Sequence, residues 1–284
     1  MTSPCTAFSP KPGGPETPWP ISAEGRPLRQ LTVFGNHGRI PDAMSPSPRL
    51  FLAVLLLAAP ALRADSPLPP LELVKLSAWT ETGAWAMASE IQGSTQERKW
   101  KSTKAGDGIL YNGAEGKTIN LTSKQTHGDA EIEVEFMIPK GSNSGIYLMG
   151  SYELQILDSY GKADTAITVH DCGAIYERWD DSKAEGAKGY EGTPPSTNAS
   201  SAPGNWQTYK IQFRAPRFDA AGKKTENARF VRVEHNGVVI HDDVEVTGPT
   251  RGGLEEKASG PVIIQGDHGP VAFRKLVVRP AKSK

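Results

Sequence analysis

The chain has 284 residues, room for one large domain or two small ones. Lys plus Arg and Asp plus Glu both number 32, so the formal net charge is zero. That argues against a nucleic-acid partner, because such proteins carry a basic excess. Only Cys5 and Cys172 are present. They cannot build a disulfide framework, and the absence of a CxxC or Cys/His cluster argues against zinc. Cys172 reads as a small, semi-buried side chain rather than a nucleophile. Gly (29) and Pro (23) are abundant and long helical patterns are few, which favours an all-β architecture rich in turns.

Residues 1–43 are rich in Pro, Gly, Ser and Arg and show no period; they read as a disordered start-site artefact ahead of a true initiator at Met44. Residues 44–64 then read as a signal peptide. Arg49 supplies a positive flank, Leu50 to Ala59 is an apolar run too short to span a bilayer, and small residues follow, with cleavage after Ala61 or Ala64. No Cys follows the apolar run, so no stable membrane anchor is expected. The expected location is the periplasm or the exterior, with a single domain over 65–284.

From Trp79 onward the pattern is short strands and turns. "GILYNG" (108–113) and "TINLTS" (118–123) look like strands. In "DAEIEVEFMIP" (129–139), Ile132, Val134 and Phe136 alternate with Glu131, Glu133 and Glu135, the mark of a half-buried antiparallel strand whose glutamates meet water. "SGIYLMG" and "YELQILDS" read as two strands joined at Gly150-Ser151. Residues 180–204 form a long polar loop, either functional or mobile. "NWQTYKIQFRAP" (205–216) follows, and Asn236-Gly237 within 228–246 is a strong hairpin signal. The charged stretch 250–259 reads as an exposed turn, and 260–280 as further strand. Trp79, Trp85 and Trp206 are expected in the core; His127, His235 and His241 lie beside turn residues and are expected to be exposed. The sum is a sandwich of two antiparallel sheets from about 71 to 281.

Several stretches carry a resemblance: "NSGIYLMGSYELQILDSYG", "CGAIY", "PGNWQTYKIQFRAPRFD", "GKKTENARFVRVEHNGVVIHDDVEV" and "GPVIIQGDHGPVAFRKLVVRP". Together, over about Leu71 to Pro280, they resemble the 3-keto-disaccharide hydrolase domain family. The resemblance implies a concanavalin- or laminin-G-like jelly-roll β-sandwich with a concave sugar-handling face. It also implies chemistry on glycosides whose C3 hydroxyl has been oxidised to a ketone, and hence an oxidoreductase acting upstream. Two departures stand out. Met149 replaces the basic residue that often follows "GIYL" in the family, and "IQGDHG" carries an extra Gly266 where the family usually reads "LQDHG". The insertion either shifts Asp267 and His268 by one register or is absorbed as a bulge.

In a 3-keto-glycoside the ketone acidifies the C2 hydrogen, and the leaving group on C1 is β to the ketone. A base can take the C2 proton while the aglycone departs, avoiding the oxocarbenium ion of ordinary glycosidases. Glu153 and Gln155 share one strand face by the period-two rule, and Asp158 lies near the strand end. Glu153 or His268 is the candidate base; Gln155, Asp158 and Gln265 are candidate hydroxyl binders. Tyr147, Tyr160 or Trp179 would stack on a sugar. His170 and Asp171 would add a second acid/base group or a metal ligand. Glu153, Asp158, Asp171 and His268 are candidate ligands for a divalent metal such as calcium, though no sequence-local loop specifies one. Each polar residue has a plain alternative, a side chain that simply meets water. The enzyme reading therefore stands beside a non-catalytic, lectin-like binding module, and fold alone cannot choose between them.

Overall fold

The structure, a computed structural model, describes residues 69–281. The expectations for residues 1–43 and for the signal peptide at 44–64, like Cys5, lie outside this range. Among the described residues the only helical pieces are two 3₁₀ turns, Leu76–Ala78 and Asp164–Ala166. No described helix is long and apolar enough to cross a membrane.

Two antiparallel sheets make the sandwich. The larger takes β1 (Leu71–Glu72), β2 (Ala86–Gly93), β3 (Trp100–Tyr111), β5 (Ala130–Met137), β10 (Trp206–Arg214), β13 (Ala228–His235), β14 (Val238–Val246) and β16 (Ala272–Pro280). Its spatial order is β14-β13-β10-β5-β16-β3-β2, with β1 on β16. The smaller sheet has the order β4-β15-β6-β7, from β4 (Leu121–His127), β15 (Gly260–Ile264), β6 (Asn143–Leu148) and β7 (Tyr152–Leu157). Two short ribbons, β8 (Arg178–Trp179) with β9 (Gly189–Tyr190) and β11 (Arg217–Phe218) with β12 (Lys224–Glu226), lie outside both.

Alternation explains the layers. Ile132, Val134 and Phe136 of β5 turn inward with Leu276 and Val278 of β16, and meet Leu154 and Ile156 of β7 in one core. Across the layers, Tyr152 and Phe213 sit 5.6 Å apart, and the Tyr209 hydroxyl donates to the Gln155 carbonyl at 2.8 Å. On the outer face Glu135 pairs with Arg274, and Glu133 with Lys275 and Arg279, so this solvent face is laced with ion pairs.

The chain departs from the sequence reading in places. The strand expected at 118–123 starts at Leu121, because Thr118 and Asn120 spend their side chains on Ala84 N and Gly266 N instead of a ladder. The turn after β6 is centred on Met149 (φ 53°) and Gly150 (φ 69°), not on Gly150-Ser151; His127 Nε2 accepts the Met149 amide at 3.0 Å and holds the turn there. The three histidines expected outside are buried, each on a hydrogen bond: His127 as above, His235 with Gln207 Oε1 at 3.0 Å, and His241 with the Gly173 carbonyl at 2.7 Å. Trp79 and Trp85 are core residues, but Trp206 belongs to a satellite cluster with Ile91, Trp100, Met137 and Ala272. Residues 180–204 are not structureless: β9 pairs with β8, and Thr193 bridges Ile175. The stretch at 250–259 is exposed for the most part, yet Thr250 is buried and accepts the Glu153 amide at 3.0 Å.

Candidate functional site

The β6–β7 hairpin turns Ile146, Leu148, Leu154 and Ile156 into the core, so Asn143, Gly145 and Tyr147 share the opposite face with Glu153 and Gln155. In register, Tyr147 stands opposite Glu153 and Gly145 opposite Gln155. On the other side of β6 runs β15, whose end leads to Gln265; the Gln265 amide donates to the Gly145 carbonyl at 2.9 Å. Residues 265–271 then cross from the smaller sheet to the larger and carry Asp267 and His268 over the hairpin. The result is a cleft of about 310 Å³ bounded by Tyr147, Glu153, Gln155, Gln265 and His268, joined by Asn143, Tyr176 and Arg251.

Gly266 is accommodated without loss of this placement. Its amide donates to Asn120 Oδ1 at 2.9 Å, and its carbonyl accepts the Thr118 amide at 2.9 Å. A β-carbon at 266 would crowd the Ile119 backbone, so the inserted residue has to be glycine.

Burial raises the pKa of three titratable groups of the cleft, Glu153, Tyr147 and Tyr176. Burial pushes the Glu153 carboxyl up to about 8, against the smaller opposing pulls of the Tyr147 hydroxyl and the Arg251 charge. At neutral pH the group is therefore mostly a carboxylic acid. Tyr147 is raised as well, by burial first and then by Glu153, and its hydroxyl donates to the Arg251 carbonyl at 3.2 Å. His268 is half exposed, and its Nδ1 lies 2.6 Å from Asp267 Oδ1. With the proton on Nδ1 and directed at that carboxylate, Nε2 carries the free lone pair. Gln155 Oε1 accepts the Ile156 amide at 2.9 Å, which leaves the Nε2 amide as its group for the cleft. Arg251 lies 3.6 Å over the Trp179 ring, a cation–π contact that orients the guanidinium. Asn143 Oδ1 is buried and has no hydrogen-bond partner.

Five residues singled out in the sequence meet here: Tyr147, Glu153, Gln155, Gln265 and His268. The others do not line the cleft. Asp158 turns to Lys140 at 3.1 Å and to the Gly141 amide at 2.8 Å. Tyr160 is 55% exposed. Asp171 is buried among Ser159, Lys162 and Thr168, a structural carboxylate. His170 reaches the site only through the Tyr176 hydroxyl, 3.1 Å away, and Trp179 only through Arg251. Of the four candidate metal ligands only Glu153 and His268 share the cleft, and no group of three or more His, Cys, Asp or Glu side chains among the described residues is placed to hold a metal ion. Asn143 was legible, since it shares the period of Gly145 and Tyr147. Tyr176 and Arg251 come from irregular segments that carry no local signal.

Among curated proteins, nothing matches this sequence. Among solved structures, a candidate glycosyl hydrolase from Parabacteroides distasonis ATCC 8503 is 22% identical, with a TM-score of 0.50, covering 78% of this chain and 95% of its own. A second from the same organism is 19% identical, with a TM-score of 0.41, covering 62% and 88%. The first of these shares the sandwich fold. Residues 74–279 match the family described as the 3-keto-alpha-glucoside-1,2-lyase-like domain, and the chain belongs to that family.

Proposed function

We propose that this carbohydrate-active protein is an exported enzyme that cleaves 3-keto-glycosides by eliminating the C1 aglycone. The carrying observation is the meeting of Glu153, a neutral buried acid, with His268, a histidine oriented by Asp267, in one cleft. Two groups whose environments give them opposite proton roles are what such an elimination needs.

In this reading His268 Nε2 removes the C2 proton. The C–H electrons form the C1=C2 double bond by way of an enolate, the C1–O bond breaks, and Glu153 supplies the proton to the departing oxygen. Water can then add across the new double bond. Arg251 faces the C3 oxygen, where negative charge develops, and a fixed cation there lowers the barrier. Gln155, Gln265 and Asn143 bind hydroxyls; the unpartnered Asn143 Oδ1 is an acceptor suited to a sugar O–H. Tyr147 and Tyr176 supply ring surface. The ketone must be installed beforehand by an oxidoreductase acting at C3. Export is supported by the apolar run at 50–59 followed by small residues.

The test is incubation with a 3-keto-glucoside and with its unoxidised parent. Release of aglycone from the keto compound alone, abolished in His268→Ala and Glu153→Gln, is expected. Binding of both sugars without turnover would leave the lectin-like reading instead.

A further inference from the structure

A second and larger cavity, of about 580 Å³, lies away from the cleft at one end of the outer face of the larger sheet. Trp100, Met137 and Trp206 contribute to its floor, and Gln92, Lys101 and Asn205 to its exposed rim. None of these residues serves the cleft chemistry. We infer that this groove is a docking site for an uncharged polysaccharide chain, separate from the catalytic cleft.

Three observations support that occupant. The groove combines indole surface with side-chain amides, and a sugar presents the same pairing of C–H faces and hydroxyl edges. Of the charges on its rim Glu97 and Lys99 pair at 2.6 Å, which leaves Lys101 alone among the described residues there, and one exposed cation is little to recruit a polyanion. The walls are also fixed before any ligand arrives. Ser94 Oγ accepts the Gln96 and Glu97 amides at 3.2 and 3.0 Å, the Ser94 carbonyl accepts the Lys140 amide at 2.9 Å, and Gly204 N reaches the Ile138 carbonyl at 2.8 Å. Gly93 and Gly204 touch backbone to backbone, and a β-carbon at 204 would lie 2.9 Å from the Gly93 carbonyl oxygen. A preformed groove spends less free energy on ordering when it binds.

The placement gives the groove a use. The loop that walls it sends Arg98 back towards the cleft, where the guanidinium packs on Gly269, next to His268; a β-carbon at 269 would meet Nη2 at 2.9 Å. A chain held in the groove is held on the same molecule as the cleft, with Arg98 linking the groove loop to the residue after His268, and this raises the local concentration of its ends. The choice of a carbohydrate rests on family membership, but binding here needs no ketone and no turnover.

Native electrophoresis through gels containing a neutral β-glucan, a galactomannan or a xylan tests this, with a polyuronate gel as the anionic control. At least one neutral polymer is expected to retard the protein. Gln92→Ala/Asn205→Ala, which alters only exposed amides, and Trp206→Ala should each weaken retardation by about tenfold, whereas Glu153→Gln leaves it unchanged. The inference is overturned if no neutral polymer retards the protein, if only the polyuronate does, or if retardation survives both groove variants and vanishes in Glu153→Gln. Failure to cleave keto-glycosides would not bear on these outcomes.

Discussion

The carboxyl group of Glu153 rests on the backbone of Gly145, its diagonal neighbour across the β6–β7 hairpin: a β-carbon at 145 would lie 2.9 Å from Glu153 Cδ. Glycine is required there by close approach rather than by backbone angle. Gly145→Ala should push the carboxyl aside while the hairpin ladder survives. Turnover of a 3-keto-glucoside should fall by about tenfold to a hundredfold, because displacements of about 1 Å have effects of that size. Circular dichroism should be unchanged. Full activity in this variant would mean that the position of Glu153 is immaterial to the reaction.

Glu153→Gln separates stability from catalysis. The carboxyl binds its proton at about 8 in the folded chain and near the ordinary carboxylate value when unfolded. Between those values the native state holds the extra proton, so stability falls as pH rises. Removing the group should stabilise the protein by about 3 kcal/mol at pH 7, measurable by urea unfolding, and should cost about 10²–10⁴ in kcat. The wild type should also lose activity as pH rises through about 8, since the acid is then ionised. A variant that is no more stable than the wild type at pH 7 would contradict the burial cost assigned to this side chain.

Alternation made much of this legible. It set Ile132, Val134 and Phe136 against their glutamates, and Glu153 and Gln155 against Leu154 and Ile156, because a strand's period is local. It failed where long-range bonds decide. Whether His127, His235 and His241 turn inward depends on partners at Met149, Gln207 and Gly173, none of them a near neighbour in sequence of the histidine it meets. Asp158 and Asp171 look like site residues in sequence and are structural because Lys140 and Lys162 happen to fold beside them. Arg251 was hidden for the same reason in reverse, since its place follows from Trp179 and the Thr250–Glu153 contact.

The buried histidines predict an acid response that Glu153 partly offsets. Burial lowers His235 to about 4 and also lowers His127 and His241. The unfolded chain takes up these protons near 6.5 and the native chain does not, so stability is lost as pH falls from 6.5 towards 4. His235 alone accounts for about 2–3 kcal/mol by pH 4.5. Over the same interval Glu153 works in the opposite direction, because its protonation favours the folded state. Urea midpoints of the wild type should therefore fall between pH 6.5 and 4.5 by less than those of Glu153→Gln, because Glu153 offsets about one histidine's share of the loss and leaves the other two. Parallel curves for the two proteins would refute the opposing assignment.

In the proposed reaction Asp267 would act only through His268. Its carboxylate accepts from Nδ1 at 2.6 Å and so fixes both the ring orientation and the tautomer that leaves Nε2 unprotonated. Asp267→Ala removes the acceptor; the two neutral tautomers then compete and the half-exposed ring is free to turn. A loss of about 10–10² in kcat with little change in KM is expected, smaller than for a buried triad aspartate because solvent here partly replaces the lost acceptor. A purely structural role would instead lower the unfolding midpoint, which should barely move for so exposed a residue. The decisive comparison is the double variant: Asp267→Ala/His268→Ala should be no slower than His268→Ala alone, since a positioning residue has nothing left to position. Losses that multiply would show Asp267 acting on the substrate by a separate route.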